Sequence, residues 1–271
     1  MTAPALVLAA VGTEDANSRS VVHTLARQMM KLRPSLAVQP ATINETGSDL
    51  RASVERLANQ HADEIVIVDL DVTSAIDSHP YLESALQDLK STYPLLRMSL
   101  ARPVGPAPEL LNILDDRLRT ALRQSRTVEL DALVLSLPAG GDIRGHGLVS
   151  RRARQWSAHH KLPCVVAVAD GSGPAVSQAI GSLRGQGRRH IAVGSLFLAE
   201  SDVWNAQAEL ARAHGAVAVS GPLGADERLL DLVMARYAYA AMDLLDPGSD
   251  APLHNVELHS EDDLIELLAH S

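Results

Sequence analysis

Aromatic side chains are nearly absent: one Phe, two Trp and four Tyr in 271 residues, or 3% of the chain. So few rings leave no stacking platform for single-stranded nucleic acid. A single cysteine, Cys164, excludes an internal disulfide framework and a thiolate-rich zinc site. It opens an apolar run and reads as a core residue rather than a nucleophile. No apolar run approaches the ~18 residues of a membrane span, and the first residues lack the basic start of a signal peptide. Positive charge is in deficit, with 24 Lys+Arg against 33 Asp+Glu and a net charge of −9. That balance argues against a general phosphate-backbone binder while leaving room for a local basic patch. No Walker lysine motif occurs, and Asp170-Gly171-Ser172-Gly173 lacks the third glycine of a dinucleotide fingerprint. The expectation is a soluble, cytoplasmic protein with neither nucleic acid nor membrane as partner.

What is present is a 46% hydrophobic chain in which short apolar runs alternate with helical patterns. Ala5–Ala10, Ile65–Val68, Met98–Ala101, Leu133–Leu137, Cys164–Ala169, Ile191–Val193 and Ala216–Val219 read as buried strands. Helical spacing fills the gaps, as in Val21, Val22, Leu25, Met29 and Leu32, and later over Asp49–Ala58, Tyr81–Leu89, Glu109–Leu122, Val149–Ala158 and Arg228–Leu244. Strand–helix alternation of this kind predicts an α/β fold with parallel sheets covered on both faces.

The pattern also repeats. Pro103-Val104-Gly105-Pro106 and its continuation to Arg117 are echoed without a gap by Pro222-Leu223-Gly224-Ala225 through Arg236. Ala5-Leu6-Val7-Leu8 returns as Ala132-Leu133-Val134-Leu135. Alternation alone does not produce an ungapped Pro-x-Gly match, so an internal duplication is expected. Its lobes are residues 1–127 and 128–246, followed by a linker and short helix (261–268) within 247–271.

Ligands of parallel α/β sheets bind beyond the carboxyl ends of the strands. After the first strand comes Gly12-Thr13, with Arg19 in the next helical turn; the matching second-lobe loop holds Gly140, Gly141, Arg144 and His146. Glycines let backbone approach a ligand, and a helix N-terminus offers N–H groups to an anion. The loop after the third strand gathers Asp69, Asp71, Asp77 and His79 within eleven residues, and Asn44-Glu45 follows the second strand. Carboxylates and an imidazole suit a divalent cation or proton transfer, although Asp and Ser also serve as helix caps. His159-His160 at a helix end reads as solvated capping of the helix dipole.

Together, Leu6-Val7-Leu8-Ala9-Ala10-x-Gly12-Thr13, the acidic loop and the doubled Pro-x-Gly motif resemble the sirohydrochlorin chelatase family. These are class II chelatases of the cobaltochelatase and ferrochelatase type, here in a long two-lobed form. The resemblance implies two tandem flavodoxin-like lobes facing across a cleft that holds a tetrapyrrole. It also implies insertion of Fe2+ or Co2+ as substrate, in siroheme or cobalamin biosynthesis, with no permanently bound cofactor, by a monomer or homodimer. The family's first-strand histidine falls at Val11 and its third-loop histidine at Asp77, two residues before His79. An assisting carboxylate falls at Asn44 or Glu45. The second-lobe counterparts are Ala139 and Val203-Trp204. Glu45, Asp77 and His79 are therefore the candidate metal-binding and catalytic set, and Gly12, Thr13, Arg19, Gly140, Gly141, Arg144 and His146 the candidate substrate contacts. Arg102, Arg151 and Arg152 stand near strand ends or helix starts, where a polycarboxylate would be met. A non-catalytic tetrapyrrole- or metal-binding protein is the alternative, and a small-molecule sensor on the same scaffold a third.

Overall fold

The computed structural model describes residues 3–11 and 16–245. Its first half runs β1 (Ala5–Val11), α1 (Ala16–Leu32), β2 (Val38–Ile43), α2 (Ser48–Asn59), β3 (Glu64–Asp69), α3 (Pro80–Thr92), β4 (Arg97–Ala101) and α4 (Leu110–Gln124). The second half runs β5 (Ala132–Leu137), α5 (Ile143–His160), β6 (Cys164–Val168), α6 (Val176–Gly185), β7 (Ile191–Ser195), α7 (Asp202–Ala213), β8 (Ala218–Val219) and α8 (Arg228–Leu245). All strand pairs are parallel, and the orders β2-β1-β3-β4 and β6-β5-β7-β8 are the same order twice. The α/β fold with two lobes of one topology is as the sequence led us to expect. The tail helix expected at 261–268 lies outside the described residues.

Strand periodicity sorts the side chains into three cores. Leu6, Leu8 and Ala10 of β1 face inward with Leu133, Leu135 and Leu137 of β5, into one cluster that spans both lobes. Val7 and Ala9 face outward under α2 and α3, and Val134 faces outward under α6. Helices α1, α4, α5 and α8 thus form a middle layer between the two sheets.

The middle layer is shared by exchange. The first half's last helix, α4, packs on β7 and β8, whereas the second half's last helix, α8, packs on β3 and β4. Leu110, Ile113, Leu114 and Leu118 supply the buried stripe of α4. Gly194 in β7 admits it: a Cβ there would lie 2.5 Å from the Trp156 ring and 3.2 Å from Leu114 Cδ1. On the other side, the Tyr237 hydroxyl of α8 donates to Pro4 O at 2.6 Å. The two halves are therefore units of chain, and their packing crosses from one to the other.

Two local departures have simple causes. β2 was read from sequence only as the strand before Asn44, without bounds, because Pro40 and Thr42 interrupt its apolar pattern. It lies at a sheet edge, where a missing N–H costs no ladder bond. α5 starts at Ile143, a turn and a half before the apolar pattern begins at Val149, because Asp142 caps it and its first turns face another loop.

Removing either exchanged helix exposes an apolar sheet face. The full chain is expected to unfold in one urea transition, and residues 1–127 alone to show no cooperative transition. Circular dichroism checks this; two separate transitions in the full chain would contradict it.

Candidate functional site

The loops beyond the strand ends meet in two separate cavities. The first, about 440 Å³, is the cleft between the sheets. Val11, Asp71, Val72, Thr73 and His79 line it from the first lobe, and Pro138, Ala139, Phe197, Leu198 and Val203 from the second. Its walls are mostly apolar. Val11, Ala139 and Val203 all lie on this wall.

The β3–α3 loop (70–79) is held by the second lobe through Asp142. As the N-cap of α5, Asp142 accepts from Gly145 N at 2.5 Å through Oδ1. Its Oδ2 accepts from Ala75 N at 3.0 Å, Ile76 N at 2.6 Å and Asp77 N at 2.9 Å. Partial burial pushes this carboxyl up, but the four backbone donors more than offset that and hold it below the ordinary Asp value. Sequence reasoning missed this role, although an Asp before a helix start was a legible capping signal.

Gly140 and Gly141, expected to approach substrate, lie against protein. A Cβ at Gly141 (φ +70°) would lie 2.3 Å from Thr73 O, and one at Gly145 2.2 Å from the same oxygen. Gly140 donates its N–H to Asp170 Oδ2 at 3.1 Å, and a Cβ there would lie 2.4 Å from Ser172 Oγ. Of the other substrate candidates, Arg19 and His146 are exposed and line neither cavity. Gly12 and Thr13 lie outside the described residues. Arg144, with Arg102, Arg151 and Arg152, lines the second cavity, of about 1030 Å³.

Glu45, Asp77 and His79 do not gather into one ligand set. Among the described residues, the one trio of potential ligands within 4.8 Å of each other is Asp115, His159 and His160. The three candidates differ in what they contact. Glu45 Oε1 accepts the Tyr81 hydroxyl at 3.1 Å. Asp77 spends its N–H on Asp142 and leaves its side chain exposed. His79 alone reaches the cleft; its Nδ1 accepts from Tyr81 N at 3.2 Å as the N-cap of α3, and its ring packs 4.7 Å from that of Tyr81. An accepting Nδ1 puts the proton of the neutral ring on Nε2.

Beneath His79 lies a second titratable group. Asp69 ends β3 and is fully buried. Burial, then the charge of Asp71, pushes its carboxyl up to about 7, with partial relief from the Asp71 N–H that Oδ1 accepts at 3.0 Å. Asp71 itself lines the cleft and accepts from Thr73 N and Oγ1, both at 2.8 Å. The site thus offers one imidazole and a carboxyl pair.

The Asp115 trio sits elsewhere, between α4 and α5. Asp115 Oδ1 accepts from Trp156 Nε1 at 2.8 Å and lies 2.6 Å from His160 Nε2, while Oδ2 accepts from Arg119 at 3.1 Å. A guanidinium on the same carboxylate opposes a metal cation, so the cluster fastens the exchanged helix α4 to α5. His160 is therefore a half-buried partner of Asp115 rather than a solvated cap.

Residues 5–121 match the CbiX family model, and no curated protein sequence matches the chain. The fold is shared with solved structures at low identity. A sirohydrochlorin chelatase, SirB, from Bacillus subtilis subspecies spizizenii in complex with cobalt is 13% identical, with TM-score 0.71 over 90% of this chain and 97% of that one. SirB from Bacillus subtilis with Fe3+ is 15% identical, with TM-score 0.66 over 90% and 98%. CbiX, described as the terminal enzyme of siroheme biosynthesis in denitrifying bacteria, is 16% identical, with TM-score 0.57 over 87% and 99%.

The raised Asp69 value has a pH signature. The folded chain holds a proton that the unfolded chain, with a carboxyl near ~3.9, has released. Stability therefore falls as pH rises from about 4 to about 7, by at most roughly 4 kcal/mol, and levels off above. Asp69→Asn is expected to remove this fall from urea midpoints measured across that range. A wild-type minus variant difference independent of pH would contradict it.

Proposed function

We propose, for a chain whose residues 5–121 match the CbiX family model, that it is a sirohydrochlorin-type chelatase whose inter-lobe cleft binds a sirohydrochlorin-type tetrapyrrole and promotes insertion of Fe2+ or Co2+. The observation that carries this reading is the cleft itself. Facing strand ends from two sheets bound an apolar slot with one imidazole, His79, and one carboxylate, Asp71, on its wall.

Insertion removes two pyrrolic protons while the ion exchanges water for ring nitrogens. His79 contributes as a ligand only when Nε2 is bare, so its proton must sit on Nδ1 and the Tyr81 N–H cap must be released. Giving up that cap costs about 1 kcal/mol, a small barrier to presenting the ring to a borderline cation. Asp71 offers an oxygen to the incoming ion, and Asp69, with a value near neutrality, is suited to take up a proton passed inward from the cleft. Glu45 and Asp77, on the loops after β2 and β3, are exposed carboxylates that attract cations.

A second reading is favoured by Val11, Ala139 and Val203. With apolar side chains at these places, the cleft holds the ring without turning it over. One experiment separates the two: sirohydrochlorin is mixed with Fe2+ or Co2+ and the absorbance change followed. Insertion above the protein-free rate is expected, with His79→Ala lowering it at least about tenfold. A wild-type rate equal to the protein-free rate, with saturable sirohydrochlorin binding, would leave the second reading.

A further inference from the structure

The larger cavity lies between α5, α8 and the β4–α4 loop (102–109), and shares no lining residue with the cleft. Arg102, Arg144, Arg151, Arg152, Arg154 and Arg236 line it against one carboxylate, Glu109. The chain as a whole carries −9, so this concentration of guanidinium is local and opposite in sign to the rest of the molecule.

Two of the six arginines are built into the wall. Arg152 is 7% exposed; its Nε donates to Pro106 O at 3.0 Å and its Nη1 to Gln155 Oε1 at 3.1 Å. Arg236 donates from Nε to Pro103 O at 2.9 Å. Burial, and then the charge of Arg102, pushes Arg236 below the ordinary Arg value. Among the described residues, Arg102, Arg144, Arg154 and Arg236 form no ion pair.

The duplication supplies an internal control. Arg117 on α4 is the repeat partner of Arg236 on α8, and reaches the equivalent loop, donating from Nε and Nη2 to Leu223 O at 3.1 and 2.8 Å. Carboxylates fill the space around it. Asp226 lies 3.5 Å from Arg117, and Arg228 pairs with Asp226 at 2.8 Å and with Asp116 at 2.9 Å. In the ungapped repeat, Asp226 stands where Ala107 stands, and Asp116 where Ala235 stands. Both alanines line the cavity. One copy neutralises its arginine internally, whereas the other has lost both acids and opened a cationic space.

We propose that this cavity is an anion site separate from the cleft, and that it takes a compact polyanion: a small molecule with two or more neighbouring carboxylate or phosphate groups. Guanidinium forks match either group bidentately. Arginines spread over two helices and a loop need several anionic groups at once, and the volume is at the upper end of the ~300–1,000 Å³ usual for small-molecule pockets.

Calorimetric titration of the full chain with inorganic pyrophosphate and with citrate, at fixed ionic strength, tests it. Saturable one-to-one binding of at least one probe is expected. Arg102→Gln, Arg144→Gln and Arg154→Gln together should weaken it at least tenfold, while His79→Ala should not change it. A control triple on exposed arginines elsewhere, Arg27→Gln, Arg51→Gln and Arg123→Gln, should retain binding. No binding of either probe, or equal loss in both triples, overturns the site and leaves the chelatase reading standing. Sirohydrochlorin titrated in the presence of saturating anion should bind with unchanged affinity. Competition would assign these arginines to the tetrapyrrole's own acid groups and overturn a separate site.

Discussion

The structure depends on the reciprocal exchange of α4 and α8. Each covers the sheet of the other half, so the apolar faces of both sheets close on one common middle layer. Neither sheet can bury its inner face without the other's helix, and hydrophobic burial then fixes the lobes against each other rather than leaving them hinged by a linker. The buried carboxylate of Asp115, tied to Trp156 and His160 of α5, pins α4 in place with polar contacts that would be costly to break inside the layer.

With the lobes fixed, the strand ends of both sheets face one another and their loops interlock. Asp142 gathers three backbone N–H groups from the β3–α3 loop, and Gly141 and Gly145 let that loop's Thr73 carbonyl press against the start of α5. The loop then divides the space. Val72 and Thr73 face the apolar cleft, whereas Ala75 and Ile76 face the arginine-lined cavity. Two environments of opposite character, one suited to a flat ring and one to dense negative charge, thus share one partition.

Much of this architecture was legible in the amino-acid sequence. Continuous apolar runs marked the central strands, and the ungapped Pro-x-Gly match gave the duplication that the twofold strand order bears out. The helix exchange was not legible, because periodicity shows that α4 has an apolar stripe but not which sheet receives it. The bounds of the edge strand β2 were obscured by Pro40. Of the candidate metal set, His79 lines the cleft, and Glu45 and Asp77 do not gather with it into one ligand group. Closeness in sequence does not make side chains converge, and Asp142 and Tyr81, which engage the neighbours, are distant or unremarkable in sequence. Gly140 and Gly141 are sites of close approach, and what approaches them is Ser172 and the Thr73 carbonyl. Arg144 and Arg151, with Leu148 and Gln155 between and beyond, fall at helical spacing on one face of α5, a signal that pointed to a common surface.

In the proposed function both sheets, held by a shared core, grip one flat ring between their strand ends. Hydrogen exchange of the full chain with and without sirohydrochlorin tests it most directly. Added tetrapyrrole should slow exchange together in segments 70–79 of the first lobe and 138–142 and 197–203 of the second, and leave segment 102–109 unchanged. Slowing confined to one lobe, or slowing of 102–109 with neither cleft segment affected, would contradict the account.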